Sequence, residues 1–536
     1  MRFGSWVFPI SQNSKNDGNV IDDTLTEIEK WESLGFEAIW LSEHHFDGAT
    51  AYADPVVFAA AIAQRTRKVT IGFAVVEMAL HHPVPREVAL VFDEKWEGNT
   101  SGYPTVIKDG DLFKMIYRGH RMIWDEGKLQ MSHSPVVCYA ESNDGIIWRK
   151  PTLRIFPLLG QLATKGEDPL NNNIIWSGSS FSGTFVPFLD TRAGCPPAEK
   201  FKAVGGNRTV GLHLFTSPDA IHWKKHDQPI FKKGALDSMN VVFWEPRDNN
   251  YVLYYRTVVE GRRSISMVTS NNLTDWSEPI ALSYPNSPPQ QMYTNGIQPY
   301  YRAPHLRVGF PTRYTARKLS EQLRLIEPVK IRAELSAAYP RVGSDLSDGL
   351  FMSSRDGVSF QRWDEAFLRP GPEADSRRSN WMYGDNYQGY GLFETASSIH
   401  GAANEISMLF SEGYWRDGES RLRRYTIRLD GFVSINAPFR GGEVITKPFR
   451  FDGSKLEINY ATSAAGSLHV ELQDIDGIPL PNFTISDCLE LVGDSVKHTV
   501  NWQQGSDVQK WAGKPIRLRF VLRDADLYSF KFTTEP

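Results

Sequence analysis

Three acidic residues stand where their carboxyls could act on a bound substrate: Glu97, Asp237 and Asp385. Asp237 closely precedes the apolar run 240–244, and Asp385 precedes the run 389–394. Two carboxyls that flank a glycosidic bond can cleave it, because one protonates the leaving oxygen while the other attacks or activates water. Such pairs are separated by about 5 Å for retention of configuration and by roughly 6.5–9.5 Å for inversion. An Asp just before a strand also commonly caps a turn, so a structural role is the alternative for both aspartates.

Polar and aromatic side chains accompany these acids in the same segments. Asparagine and tyrosine side chains donate and accept hydrogen bonds at once, which suits sugar hydroxyls, and aromatic rings can stack on a sugar face. An arginine could pair with an anionic sugar or, alternatively, with a local carboxylate, and each aromatic residue could equally belong to a core. The residues that we predict to bind substrate are Trp96, Asn99, Tyr103, Asn240, Tyr293, Asn295, Arg302 and Trp381.

A short pattern, Ser-x-[Asp/Asn]-x-x-x-[Trp/Phe], occurs four times, beginning at Ser142, Ser217, Ser270 and Ser354. Each copy follows an apolar or aromatic run, so the unit is a strand, a turn and a further strand. Recurrence of one such unit at unequal spacing predicts a β-propeller, whose functional site is normally the central pocket. We expect the aromatic residue of each copy to pack between neighbouring sheets.

The number of blades follows from the strands that can be assigned to the axis. Candidate inner strands are 102–107, 181–189, 240–244, 296–301 and 389–394. Segment 424–435 reads as a fifth outer strand, although it lacks the Ser and Trp of the repeat. Five blades are therefore predicted, with four and six as alternatives.

The chain is mainly β and divides into three predicted domains. Residues 1–85 alternate strand and helix in a βαβαβ order, which implies parallel strands as in part of a TIM barrel. Residues 86–435 form the propeller, and residues 436–536 alternate polar and apolar in short runs, which predicts a β-sandwich. A truncated parallel sheet exposes its edge, so we expect this N-terminal segment to dock on the propeller or to pair with another subunit.

The N-terminal segment carries a pattern with a known parallel. Trp40-Leu41-Ser42-Glu43-His44-His45-Phe46 and the later stretch 69–84 resemble the start of the luciferase-like, flavin-dependent monooxygenase family. The resemblance gives His44 a role near the flavin; the alternative is that His44 and His45 are relics at a strand end. The barrel of that family needs roughly 250 residues to close, which residues 1–85 cannot supply. A monooxygenase that binds FMN is therefore kept as an alternative, and no cofactor is expected otherwise. The abrupt change of pattern after residue 85 favours a fusion of two segments.

The remainder of the chain resembles the five-bladed propeller glycoside hydrolases of families 32 and 43. Three features support this resemblance. The first is the order of a strand, an Asp-Gly turn and the Ser-x-Asp-x-x-x-Trp motif. The others are the first-blade stretch 96–110 and the β-sandwich that follows the propeller. Superposition of the family motifs puts Asn99 where one family has its nucleophilic Asp, and Tyr103 where the other has its base. The resemblance implies a protein that cleaves a glycan at the central pocket through paired carboxyls. A propeller that binds a glycan without cleaving it is the alternative.

Bulk composition limits the remaining classes. The chain has 41% hydrophobic and 23% charged residues and a net charge of −4, which favours neither nucleic acid nor an anionic membrane as partner. Its three cysteines are far apart and match no metal or disulfide framework, so a reducing compartment and no metal are predicted. The N-terminus resembles no signal peptide, and no stretch approaches the length of a membrane span, so we expect a cytoplasmic protein.

Overall fold

A computed structural model describes residues 4–7, 9–11, 16–41, 51, 55–73, 79–125, 128–285, 287–371 and 380–534. The chain forms two units. One unit is Leu80–Phe432, and the other comprises Met1–Ala79 together with Val433–Pro536.

The N-terminal residues alternate between strand and helix. The elements are β1 (Gly4–Val7), α1 (Asp17–Ser33), β2 (Ala38–Leu41), α2 (Pro55–Arg65) and β3 (Thr70–Phe73). Strand β2 lies between β1 and β3 and pairs in parallel with both. Leu25 and Ile28 of α1 and Ile39 of β2 are buried together, and Gly35, with a φ of 90°, follows the end of the helix. The predicted βαβαβ order is confirmed, whereas His44 and His45 lie outside the described residues.

Leu80–Phe432 is built from short antiparallel strands. Strand β4 (Ala79–Leu80) belongs to the sheet of the C-terminal strands. The first strands of Leu80–Phe432 itself are β5 (Val84–Val91), β6 (Gly102–Asp109), β7 (Leu112–Gly119), β8 (Met122–Asp125), β9 (Lys128–Met131), β10 (Val136–Ser142) and β11 (Ile174–Ser177). The next are β12 (Val186–Leu189), β13 (Phe201–Asn207), β14 (Gly211–Ser217), β15 (Lys224–Phe231), β16 (Val241–Glu245), β17 (Asn250–Val259), β18 (Arg262–Ser270) and β19 (Ile280–Ala281).

The second half of this unit adds three helices to its strands. The strands are β20 (Gln291–Met292), β21 (Gln298–Tyr300), β22 (Ala303–Gly309), β23 (Thr312–Thr315), β24 (Leu346–Gly349), β25 (Met352–Ser354), β26 (Gln361–Arg362), β27 (Tyr383–Asn386), β28 (Phe393–Thr395), β29 (Glu405–Glu412) and β30 (Arg421–Arg428). The helices α3 (Glu321–Leu325), α4 (Val329–Ala338) and α5 (Pro340–Ser344) form an insertion between β23 and β24.

Five four-stranded sheets within the described part of this unit are the blades of a five-bladed β-propeller. In order from the axis outwards, blade 1 is β6-β7-β10-β11, blade 2 is β12-β13-β14-β15 and blade 3 is β16-β17-β18-β19. Blade 4 is β21-β22-β25-β26 and blade 5 is β28-β29-β30-β5. The first strand of blade 2 contacts the first strands of blades 1 and 3, as inner strands do around a common axis. Each predicted inner strand contains all or part of the first strand of a blade, although residues 182–184 of the predicted strand 181–189 form a short 3-10 helix.

The outer strand of blade 5 differs from the expectation. Segment 424–435 was predicted to supply it, but β30 is the third strand of that blade. The fourth strand is β5, which pairs antiparallel with β30 from Val84 opposite Thr426 to Val91 opposite Arg421. The ring therefore closes by pairing the beginning of this unit with its end, so that no blade is left with three strands.

The repeated motif forms the turn after the third strand of blades 1 to 4. In blade 1 the Ser142 hydroxyl donates to Asp144 Oδ1 (2.8 Å) and accepts from the backbone N–H of Gly145 (2.9 Å). Asp144 Oδ1 also accepts from the backbone N–H groups of Ile146 (2.8 Å) and Ile147 (2.9 Å). Equivalent Ser and Asp or Asn bonds close the turns at 217–222, 270–275 and 354–359. Side chains thus satisfy backbone groups that no strand partner can reach.

The aromatic residue of the motif packs between blades. The Trp148 ring of blade 1 lies edge-on to Phe393 of blade 5 at 6.3 Å between centroids. The Phe360 ring of blade 4 lies edge-on to Tyr254 of blade 3 at 6.4 Å. Because such pairs prefer edge-to-face geometry, they fix the angle between neighbouring sheets. The predicted packing role is confirmed at these two interfaces.

The C-terminal residues form the β-sandwich. Its strands are β31 (Val433–Ala437), β32 (Gly442–Ile445), β33 (Lys455–Gln473), β34 (Asp494–Thr499) and β35 (Arg517–Thr533). The long strands β33 and β35 pair antiparallel, with a register irregularity between Thr462 and Ser467. Alternate residues of both strands, such as Leu468 and Leu518, are fully buried in one core around Trp502.

Candidate functional site at the propeller axis

Five tyrosines meet where the blades converge, and we call them the axial cluster: Tyr103, Tyr293, Tyr383, Tyr387 and Tyr414. Ring centroids lie 6.0 Å apart for Tyr103 and Tyr387, and 5.4 Å apart for Tyr293 and Tyr387. The Tyr383 hydroxyl donates to the Tyr293 hydroxyl at 2.7 Å. Burial raises the pKa of Tyr103, Tyr383 and Tyr387 well above the usual value, so these phenols stay protonated.

Local backbone geometry brings two of these residues into place. Strand β6 has an irregular register between Gly102 and Thr105, and Tyr103 has a φ of 54°. This left-handed conformation is unusual for a tyrosine and turns its ring out of the regular strand alternation. Gly384 has a φ of 101°, and a Cβ there would lie 2.2 Å from the ring of Tyr414. Only glycine therefore allows the backbone of β27 to approach that ring.

Two arginines tie the remaining blades to the cluster. The Arg118 guanidinium lies 4.8 Å from the centroid of Tyr103, and it donates to the Tyr414 hydroxyl (2.9 Å) and to the carbonyl of Gly183, just before blade 2 (3.4 Å). The Arg256 guanidinium of blade 3 lies 4.8 Å from the centroid of Tyr293. Residues that lie in or next to each of the five blades thus meet in one place, and this place is the propeller axis. Guanidinium and phenol groups together can hold hydroxyl or carboxylate oxygens.

Asp385 lies buried beside the cluster. Its side chain is fully buried; Oδ1 accepts the backbone N–H of Tyr414 at 2.9 Å, and Oδ2 has no hydrogen-bond partner among the described residues. Burial raises its pKa to about 7; the positive charge of Arg416 opposes this rise, and the carboxylate of Glu412 adds to it. A carboxyl with such a pKa can hold a proton near neutral pH and release it to an acceptor, as a general acid does.

Glu97 and Trp96 belong to a network inside blade 1. Glu97 is 1% exposed, accepts the Tyr117 hydroxyl at 2.6 Å and pairs with Lys150 Nζ at 2.6 Å. The indole N–H of Trp96 donates to Asn173 Oδ1 at 2.8 Å. No hydrogen bond or ion pair among the described residues joins Glu97 to Asp237 or to Asp385. The physical reason is that the hydrogen bonds to Tyr117 and Lys150 satisfy the Glu97 carboxylate within its own blade.

The three predicted asparagines hold backbone segments together. Asn99 exchanges two hydrogen bonds of 3.0 Å with the backbone of Met122. Asn240 Nδ2 donates to the carbonyls of Leu236 and Ser238, while its Oδ1 is buried without a hydrogen-bond partner in the described part of the chain. Asn295 Nδ2 donates to the carbonyl of Met239 at 2.9 Å, which links blades 3 and 4.

Asp237 stands at the entrance of a cleft beside the cluster. Its side chain is 62% exposed and forms an ion pair with Arg256, the residue that packs on Tyr293. The cleft, of about 520 Å³, lies between the β13–β14 turn and blade 3. Asp237 therefore connects to the cluster through Arg256, and Asp385 connects to it through Tyr414.

The other two predicted residues lie away from the tyrosines. Arg302 pairs with Asp430 at 2.8 Å and with Glu394 at 3.6 Å, in the local ion pair that was its alternative role. The Trp381 indole donates to the carbonyl of Gly371 at 2.7 Å and packs beside the helical insertion. Of the predicted binding residues, the structure thus brings Tyr103 and Tyr293 into the axial cluster.

Sequence reasoning missed most of the cluster. Arg118 and Arg256 could have indicated the axial cluster, because each is an arginine within a mostly apolar strand. Tyr383 and Tyr387 lie within a stretch dense in aromatic residues, and this density carried the same information. Apolar side chains of the hairpin β8–β9 and of helices α4 and α5, including Leu129, Leu335 and Val342, pack against the cluster.

The described residues contain neither a metal-binding cluster nor a membrane-spanning helix. Within the residues that the structure describes, no group of three or more His, Cys, Asp or Glu side chains is arranged to hold a metal ion. No described helix is long and apolar enough to cross a membrane.

Comparison with known proteins gives different results for the two ends of the chain. Residues 1–85 match the luciferase-like monooxygenase family. Limonene 1,2-monooxygenase of Rhodococcus erythropolis is 37% identical over 81 residues, which are 15% of this chain and 21% of that protein. The chain thus spans about a fifth of the length of this relative.

Two solved structures align with part of the chain at low identity. One is a glycosyl hydrolase from Bacteroides ovatus, with a TM-score of 0.37 and 14% identity over 66% of this chain and 94% of that one. Another is an N-acetylgalactosamine deacetylase from F. plautii, with a TM-score of 0.39 and 11% identity over 64% of this chain and 94% of that one.

The N-terminal match raises the question of whether the segment could hold FMN. The residues between 4 and 73 that the structure describes supply three neighbouring parallel strands, whereas a barrel of this kind closes with eight strands and places its site on loops from many of them. A three-stranded sheet therefore does not fit a flavin that a closed barrel would surround.

Proposed function

We propose that the protein binds a glycan at the axial cluster and cleaves it as a glycoside hydrolase, with Asp385 as the general acid. The observation that carries this proposal is the buried Asp385 carboxyl, whose Oδ2 has no hydrogen-bond partner in the described part of the chain and whose pKa is raised to about 7. A protonated carboxyl is what the leaving glycosidic oxygen requires. Because Asp385 is fully buried, side chains around it must move before a substrate oxygen can reach it.

Asp237 is the second carboxylate of the proposal. It is exposed to the cleft and forms an ion pair with the Arg256 guanidinium. Its link to the cluster through Arg256 and Tyr293 supports a place at the same site. Glu97 is not part of this pair, because its carboxylate is occupied by Lys150 and Tyr117.

The test is hydrolysis of aryl α- and β-glycosides, furanosides included, by the wild type, Asp385→Asn and Asp237→Asn. Asp237→Asn should lower kcat on every substrate, and Asp385→Asn should lower it on substrates with poor leaving groups, in each case by about 10²–10⁴-fold. Asp385→Asn should spare substrates whose leaving group needs no protonation, and it should remove the limb of the pH–rate profile near pH 7. The matched control is Asp190→Asn, which alters a buried aspartate of blade 2 paired with Lys202. Full activity of Asp385→Asn on poor leaving groups would exclude the acid role.

A non-catalytic glycan-binding propeller is the second candidate. Complete burial of Asp385 and occupation of Glu97 by Lys150 favour it, because neither acid is open to substrate in this conformation. Glycan binding without hydrolysis of any substrate would select this candidate. The monooxygenase activity in the names of the N-terminal relatives has less support, since the described strands are too few for the barrel. An absorbance scan of the purified protein for flavin tests it directly.

A further inference from the structure

The cleft at Asp237 carries more positive than negative charge. Arg208, Arg256 and Arg263 line it, and Asp237 is the acidic residue among its lining side chains. Arg208 lies in the exposed turn between β13 and β14, while Arg256 and Arg263 come from adjacent strands of blade 3. The cleft therefore joins two blades and has an excess of guanidinium groups over carboxylates.

Arg256 is the most constrained of these groups. It is 7% exposed, its Nη2 donates to Asp237, and its Nη1 is buried without a hydrogen-bond partner among the described residues. An unpaired charged donor in a buried position is costly, so an acceptor that enters the cleft is favoured. The Asp237 carboxylate already bound to this guanidinium shows that the position accepts a carboxylate.

Arg263 faces the same ring as Arg256. Its guanidinium lies 5.5 Å from the centroid of Tyr293 and 4.3 Å from that of Tyr314, and Nη1 donates to Gln291 Oε1 at 2.6 Å. Stacking on two phenol rings holds the planar fork of the guanidinium in a fixed orientation. Two neighbouring guanidiniums with fixed orientation suit an anion that bridges them, and bidentate pairing suits a carboxylate better than a neutral hydroxyl.

We propose that this cleft binds the carboxylate of a uronic-acid unit, so that the glycan recognised by the propeller is acidic. The inference rests on the proposed function, because it names the substrate class of that site. Arg256 and Arg263 bind the carboxylate, and Arg208 at the rim attracts the anion. A neutral sugar leaves the buried Nη1 of Arg256 without an ionic partner and binds more weakly.

The test compares ligands that differ in charge alone. Oligogalacturonides and oligoglucuronides, each beside its methyl ester, are titrated into the full-length protein by calorimetry at low and high salt. At low salt the free acid of at least one series should bind at least about tenfold tighter than its ester, and high salt should reduce this ratio. Equal affinity for acid and ester, or no binding of either acid, would overturn the inference. A sulfated oligosaccharide of equal length that binds tighter than both acids would also overturn it.

Variants locate the binding to the cleft. Arg263→Gln should abolish the preference for the acid over its ester. Arg208→Gln alters an exposed side chain and should reduce this preference. It also tests the site if Arg263→Gln fails to fold. Arg302→Gln is the matched control, since that arginine pairs with Asp430 elsewhere in the propeller; it should keep the preference. Retained preference in folded Arg263→Gln, or in Arg208→Gln if Arg263→Gln is unfolded, would refute the assignment.

Failure of this inference and failure of the proposed function give different results. Hydrolysis of neutral aryl glycosides that depends on Asp385, without preference for acids, would leave the function standing and remove the acidic substrate. Preferential binding of acids by Asp385→Asn and wild type alike, without hydrolysis, would leave the cleft standing and remove catalysis.

Discussion

Replacement of Asp385 by Asn should change how the stability of the protein depends on pH. The carboxyl is fully buried and its folded-state pKa rises from the ordinary 3.8 to about 7 because of burial. Between these two values the folded state keeps a proton that the unfolded state has lost. Since each pKa unit corresponds to about 1.4 kcal/mol, and the folded carboxyl is still half protonated at pH 7, the wild type should lose about 3 kcal/mol of unfolding free energy between pH 4 and pH 7. The asparagine variant has no proton to lose and should not show this decline.

The assay is urea unfolding of both proteins at pH 4, 5.5, 7 and 8, with the difference between them plotted against pH. Other titrating groups largely cancel in this difference, and any cost of the new amide is independent of pH. Infrared spectroscopy can detect the protonated carboxyl of the wild type at pH 5.5 directly. A difference that stays flat from pH 4 to pH 8 would refute the reasoning.

Asp190→Asn provides the opposite control. Burial would raise the pKa of Asp190, but hydrogen bonds from Lys202 (2.7 Å) and Tyr251 (2.8 Å) hold it below the ordinary value. A lowered folded-state pKa stabilises the protein above the unfolded value, and this stabilisation is lost only as pH falls below about 4. The difference between wild type and Asp190→Asn should therefore be constant from pH 4 to pH 8 and shrink at lower pH.

Three further substitutions test the propeller itself. Lys150→Met leaves the buried Glu97 carboxylate without its ionic partner and should cost about 3–5 kcal/mol; calorimetry showing a cost near zero would contradict the network in blade 1. Leu90→Ala removes a buried side chain of the closing strand β5 and should cost about 2–5 kcal/mol by urea unfolding, whereas a neutral effect would argue against closure by β5. Trp148→Ala removes the contact between blades 1 and 5 and should cost about 3–5 kcal/mol of unfolding free energy. An unchanged midpoint of urea unfolding would contradict the role of this contact.

The architecture could be predicted from the sequence because its signals are local. Ser142 and Asp144 form their turn with atoms two or three residues away, so the repeat indicates a blade without knowledge of the rest of the chain. The alternation in residues 1–73 likewise depends on neighbours in sequence. The closing strand could not be found this way, because pairing of β5 with β30 joins residues such as Arg86 and Arg423, which are 337 positions apart.

The site was harder to predict because it depends on the direction of individual side chains. Glu97 lies five residues before the start of the turned backbone at Gly102 and points into its own blade, whereas Tyr103, just after that point, joins the axis. The irregular register of β6 between Gly102 and Thr105 includes Tyr103, and a one-residue change of register exchanges the two faces of a strand. Arg302 shows the same limit, since Asp430, its partner, is distant in sequence.

Closure of the ring by β5 has a consequence during synthesis. The ribosome makes β5 first among the blade strands, and its partner β30 emerges about 337 residues later. At about 5–20 residues per second, this interval is about 17–70 s. During that time, the backbone groups of β5 that later pair with β30 have no partner from its own blade. Nascent chains should therefore be more prone to strand exchange with one another, and more dependent on chaperones, than the finished protein.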